Sequence, residues 1–211
     1  MLRDRLARIV WAQFGKPSGL LGRFIGNGMA RGNEYAARWT VSLLEIRPES
    51  RVLEIGFGPG VSTRYASEKA TLGFVAGIDH SETMVLAARR RNADAIRAGR
   101  MDLKQGDVSS LRYPDESFDK VFSIHSIYFW SMPAQSLQEL RRVLMPGGLL
   151  AVTIEPKDRW TELQRRQTSL MTLYSGADLA AMFASAGFRD VRVEVCPEQD
   201  TFPGECVLGV R

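Results

Sequence analysis

The chain has 211 residues and 45% hydrophobic residues, enough to bury one α/β core with a small N-terminal addition but too few for two full domains. A formal net charge of +4 is only mildly basic, and the clusters Arg89–Arg91, Arg141–Arg142 and Arg165–Arg166 fall in predicted helices whose solvated faces account for them. Cys196 and Cys206 lack zinc or redox spacing, so free thiols are expected; with no uninterrupted apolar run for a signal core or a bilayer span, a soluble cytoplasmic chain is expected.

In chain order, Leu2, Leu6, Ile9, Val10 and Phe14 recur at helical spacing with Arg3, Arg5 and Arg8 between them, which predicts an amphipathic helix. The glycine-rich stretch 15–32 reads as a connector that can dock through Leu20, Leu21, Phe24 and Ile25. Asn33 is placed to cap a helix through Tyr35, Trp39, Leu43 and Leu44 that stops before Pro48. These residues, 1–48, are set apart as an N-terminal helical lid or cap, and 49–211 as the main domain.

The organising stretch is Arg51–Ser62. The apolar run Val52-Leu53-Glu54-Ile55 breaks into Gly56, Gly58 and Gly60, as a buried strand does before a backbone-lined nucleotide pocket. A dinucleotide fingerprint wants its third glycine where Val61 stands, so the loop is poorly suited to a pyrophosphate. With Glu54 the pattern is E-x-G-x-G-x-G, which resembles the first motif of the class I S-adenosylmethionine-dependent methyltransferases. That resemblance implies a glycine loop passing under the methionine part of the cofactor, with N-terminal helices closing over it. The helix expected over 61–70 then points its free N–H groups at the cofactor carboxylate.

Phe74–Asp79 reads as a second parallel strand closed by an acid. Asp79 is expected to accept from both ribose hydroxyls, with His80 and Met84 bordering the adenosine. One long helix is expected from Thr83 to about Gly99, followed by a strand ending at Asp107 and Val108. The resemblance gives that acid the adenine amine and gives the Val108 N–H a ring nitrogen.

Asp115–Ile124 resembles the family's acidic turn and fourth strand, with Ser123 counted among the cofactor contacts. The strand exit, His125-Ser126-Ile127-Tyr128-Phe129-Trp130, should face the transferring methyl group. Arg142-Val143-Leu144-Met145-Pro146-Gly147-Gly148-Leu149 is a further family match, in which Pro146-Gly147-Gly148 ends a helix before a strand over 149–154. A polar insertion, 155–174, offers Trp160, Met171 and Tyr174 to a pocket. Residues 191–195 and 206–210 match the family's terminal antiparallel pair.

The fold expected is a Rossmann-like, doubly wound, seven-stranded and mostly parallel sheet with a C-terminal antiparallel strand pair and N-terminal helices. The activity implied is methyl transfer from S-adenosylmethionine to a small-molecule acceptor, apolar or aromatic in view of Tyr128, Trp130 and Tyr174. The chain lacks the Asn/Asp-Pro-Pro-aromatic signature of amino-directed nucleic-acid methyltransferases and the paired-glutamate loop of arginine methyltransferases. His125 is the candidate general base for a hydroxyl acceptor. No ligand-spaced His, Cys and carboxylate cluster suggests a metal. An RNA or ribosomal methyltransferase, a noncatalytic partner protein with this fold and a nucleotide-dependent oxidoreductase are the alternatives, and a homodimer stays open.

Overall fold

The computed structural model describes residues 33–162, 165, 171–197 and 202–211. The expected helix over 2–14 and the connector over 15–32 lie outside them. The described strands are β1 (Arg51–Ile55), β2 (Phe74–Asp79), β3 (Met101–Gln105), β4 (Phe118–Ile124), β5 (Leu144–Ile154), β6 (Arg189–Val195) and β7 (Glu205–Val210), of which β1, β2 and β5 are mostly apolar and buried. Around them lie helices α1 (Glu34–Leu43), α2 (Val61–Lys69), α3 (Glu82–Arg91), α4 (Ala93–Arg97), α5 (Pro133–Val143) and α6 (Gly176–Ser185).

Among the described residues the strands make one seven-stranded sheet in the order β3-β2-β1-β4-β5-β7-β6. Strands β1 to β5 pair in parallel, and β7 runs antiparallel to both β5 and β6, as expected. The order steps outward from β1 to β3 and then returns to the other side of β1 with β4. This reversal opens a crevice at the carboxyl ends of β1 and β4, where ligands of open parallel sheets bind.

Alternate strand residues face opposite layers. Leu53, Val121 and Leu150 pack under α5 and α6 through Leu137, Leu140, Leu179 and Phe183. On the other face, Val52, Phe122 and Ala151 meet α1, α2 and α3 through Val41, Ala66 and Ala88. Helix α1 therefore shares the core of the sheet, and Thr40 Oγ1 lies 2.6 Å from Thr153 Oγ1 to tie it to β5. The start of β1 is anchored by Asp119, whose Oδ1 accepts from Arg51 N at 2.5 Å and Oδ2 from Ser50 Oγ at 2.8 Å.

Three local expectations are corrected. The single helix expected over 83–99 is broken at Asn92, whose Nδ2 donates to Gly60 O at 3.0 Å and Ala88 O at 2.9 Å. Helix α5 ends at Val143, before Pro146-Gly147-Gly148, which instead bulges within β5: Phe118 pairs with Leu144 and Lys120 with Leu149. Asn33 stands at the start of α1 but makes no side-chain capping bond; it lines the crevice instead.

Candidate active site

A cavity of about 410 Å³ opens at this crevice, within the size range of small-molecule sites. Its floor is the glycine loop, and two of the glycines have different physical reasons. Gly56 has φ +71°, and a Cβ there would lie 2.3 Å from Ser126 Cβ, so the loop can pass over the β4 exit only without a side chain. Gly58 has φ +51° with nothing within 4 Å of a Cβ, leaving its backbone open to the cavity. Gly60 is not on the wall; it lets α2 approach Ala88 and Asn92 of the neighbouring helical layer.

Three carboxyl groups face the cavity, each held differently. Glu54 is buried and accepts from Ser62 Oγ at 2.5 Å through Oε1, while Oε2 has no hydrogen-bond partner. Burial pushes its pKa up to about 7 against the downward pull of Ser62 and Thr63. The Thr63 hydroxyl is near but closes no hydrogen bond. Asp79, 6% exposed, accepts from Gly58 N through Oδ2 and from Ser81 N through Oδ1, both at 2.8 Å. Burial raises its pKa, and those two backbone donors pull it down. Asp107 is held below the usual carboxylate range by Ser109, whose Oγ and N both donate to Oδ1. Asp107 lines the cavity between Gly106 and Val108.

Helix α2 begins directly after the loop, so Val61 and Ser62 bring its N-terminal turn to the cavity. Met84, 2% exposed, and His80, at the exposed rim, complete the side expected for adenosine.

The β4 exit closes the other side. His125 has φ +54°, an uncommon conformation for a residue with a side chain, and its N–H donates to Thr153 O at 3.0 Å. Its ring is enclosed by protein except where it meets the cavity, and that burial lowers its pKa to about 4. Trp130 and Phe129 also reach the wall.

Besides Gly60, five expected contacts do not. Ser123 is fully buried behind the wall and lies 2.6 Å from Ser126 Oγ. Tyr128, 4% exposed, turns into the core because its hydroxyl is clamped to the Glu155 backbone, accepting from N at 2.7 Å and donating to O at 3.2 Å. Tyr174 packs in the core beside α6, and its carbonyl accepts from Lys157 N at 2.8 Å. Trp160 likewise packs edge-on against Tyr128, and Met171 lies against the same core rather than on the cavity wall.

Sequence reasoning missed Ser62 and Ser126. Ser62 sits in the first turn after the glycine loop, a position readable from its spacing to Glu54. Ser126 donates to Ile55 O at 3.1 Å and accepts from Trp130 Nε1 at 3.2 Å, joining β1 to the β4 exit. Nothing in its local sequence announces that long-range bond. Among the described residues no group of three His, Cys or carboxylate side chains is arranged for a metal ion.

The methyltransferase domain family matches residues 53–152, which carry the glycine loop, Asp79, Asp107 and the β4 exit. The uncharacterized methyltransferase YdaC of Bacillus subtilis is 30% identical over 167 residues, covering 79% of this chain and 86% of that protein. The ubiquinone/menaquinone biosynthesis C-methyltransferase UbiE of Ectopseudomonas mendocina is 35% identical over 116 residues, 54% of this chain and 45% of that enzyme. In fold, the chain resembles one from the complex between the Haloferax volcanii Trm112 methyltransferase activator and a methyltransferase, with a TM-score of 0.78, 22% identity and coverage of 88% and 92%. With that relationship to YdaC and this sheet order, the chain belongs to the class I S-adenosylmethionine-dependent methyltransferases.

Proposed function

We propose that this enzyme methylates a small, uncharged, apolar or aromatic acceptor. The observation that carries the reading is the charge of the cavity: its described wall contains Glu54, Asp79 and Asp107 but no Lys or Arg. A nucleic-acid backbone or a dinucleotide pyrophosphate would be desolvated against carboxylates with no cation to receive it. A cationic cofactor suits the same wall. The apolar and aromatic side, with Ile124, Phe129 and Trp130, favours an acceptor that buries ring or chain surface. The similarity to an enzyme named for ubiquinone and menaquinone biosynthesis supports this choice.

In this reading the unpartnered Oε2 of Glu54 attracts the positively charged end of the cofactor, and the α2 N-terminus takes its carboxylate. A carboxylate offers about four lone-pair positions, so Asp79 retains capacity for ribose hydroxyls beside its two backbone donors. Asp107 and Val108 border the base. Of the N-terminal segment expected to cap the site, the described residues Asn33 and Ala37 lie on its wall.

Bound S-adenosylmethionine supplies an activated methyl group on its sulfonium. The protein orients the partners and excludes water, and orientation alone is worth roughly 7–11 kcal/mol of barrier. For a hydroxyl acceptor, His125 takes the departing proton: burial keeps its ring neutral at neutral pH, and the same lowered pKa makes it a weak base that depends on close positioning of the hydroxyl.

Methyl-labelled cofactor incubated with a panel of phenols, quinols, amines and bulk RNA tests the proposal. Label is expected in a phenol or quinol. Label confined to RNA would overturn the acceptor class.

A further inference from the structure

We propose that Tyr128 is a positioning residue that holds His125 in its Nδ1–H tautomer, leaving Nε2 as the ring's one proton acceptor. The use of that tautomer rests on the methyl-transfer reading; the geometry behind it does not.

The protons around one hydroxyl decide the tautomer. A phenol has a single proton to donate and lone pairs to receive others. Tyr128 Oη accepts from Glu155 N at 2.7 Å, and its own proton is drawn to Glu155 O at 3.2 Å. The third neighbour is His125 Nδ1 at 3.4 Å. With the phenolic proton on Glu155 O, the remaining lone pair can only receive, so Nδ1 must carry the hydrogen. In water a neutral histidine ring favours the opposite form, Nε2–H. Holding the Nδ1–H form therefore needs a fixed acceptor at Nδ1, and such partners commonly set histidine tautomers.

The surroundings keep the ring from turning to escape this choice. His125 lies nearly parallel to Tyr128, with ring centroids 6.2 Å apart and planes at 20°, while Phe202 meets it edge-on at 5.4 Å. Its backbone is fixed by the bond to Thr153 O. Tyr128 is itself held by the short helix Ile127–Phe129, so the clamp reaches from the β4 exit to the end of β5. A phenol that never reaches the cavity thus decides which nitrogen is free.

The chain has two histidines, so this 211-residue chain labelled with 15N-histidine gives two ring spin systems, and His80→Gln assigns them. At neutral pH, without ligand, His125 is expected to show a protonated Nδ1 and an unprotonated Nε2. In Tyr128→Phe the Nε2–H form is expected to become the major one. A wild-type spectrum with Nε2 protonated overturns the proposal even where the variant fails to fold. A folded Tyr128→Phe with the wild-type tautomer also overturns it. Because the reading is taken without cofactor or acceptor, a failed methyl-transfer assay leaves this result standing.

Discussion

Gly58 donates its backbone N–H to Asp79 Oδ2 at 2.8 Å, so the acid at the end of β2 holds the glycine loop as well as facing the cavity. Its second oxygen accepts from Ser81 N, the residue that caps α3 by accepting from Met84 N through its hydroxyl. One side chain thus positions both the floor of the cavity and the rim beside His80.

Asp79→Ala should therefore weaken S-adenosylhomocysteine binding by more than lost ribose contacts alone. Hydrogen bonds to a charged group are worth about 1.5–3 kcal/mol, so a loss of at least about tenfold is expected in calorimetric titration. Asp79→Asn, which keeps one acceptor oxygen, should fall between the two.

Glu54 predicts a pH signature. Its carboxyl is raised from 4.5 to about 7 by burial, so the folded chain holds the proton more tightly than the unfolded chain. The stability this provides is fully present below pH 4.5 and is lost as pH rises through about 7, a change of about 3 kcal/mol. Against Glu54→Gln, the wild type should lose stability progressively across that window in denaturant unfolding. A cation bound beside Glu54 favours the ionised form, so cofactor affinity should rise with pH in the wild type and be flatter in Glu54→Gln.

The glycines separate strain from collision. Gly58→Ala meets open space and suffers only its left-handed backbone, about 1–2 kcal/mol. Gly56→Ala carries the same strain and drives a Cβ into Ser126, which adds about 1–3 kcal/mol of overpacking. Urea unfolding should rank Gly56→Ala as clearly the less stable of the two.

Asn92 tests the layer behind the loop. Asn92→Ala removes the donors to Gly60 O and Ala88 O, and at about 1 kcal/mol per bond the unfolding free energy should fall by about 2 kcal/mol. Cofactor affinity should fall with it, because Gly60 opens α2.

What was legible in the sequence follows local spacing. Glu54, Gly56, Gly58, Asp79 and Asp107 sit at strand ends or in the turn between strand and helix, where period and punctuation fix position. The sheet and its antiparallel end were readable for the same reason. Tyr128 and Tyr174 were not: an aromatic after a strand end looks equally suited to cavity or core. The Glu155 backbone that captures Tyr128 is 27 residues away. Asn92 hid in an arginine-rich helical pattern because the carbonyl it reaches, on Gly60, is 32 residues distant. The Pro146-Gly147-Gly148 bulge was masked by the usual reading of such residues as a stop.

The measurement that bears most directly on the account is calorimetric titration of the full chain with S-adenosylhomocysteine, with NADP as the control. A wall with three carboxyl groups and no Lys or Arg among its described residues predicts saturable binding of S-adenosylhomocysteine and none of NADP. Tight NADP binding with no response to S-adenosylhomocysteine would contradict it.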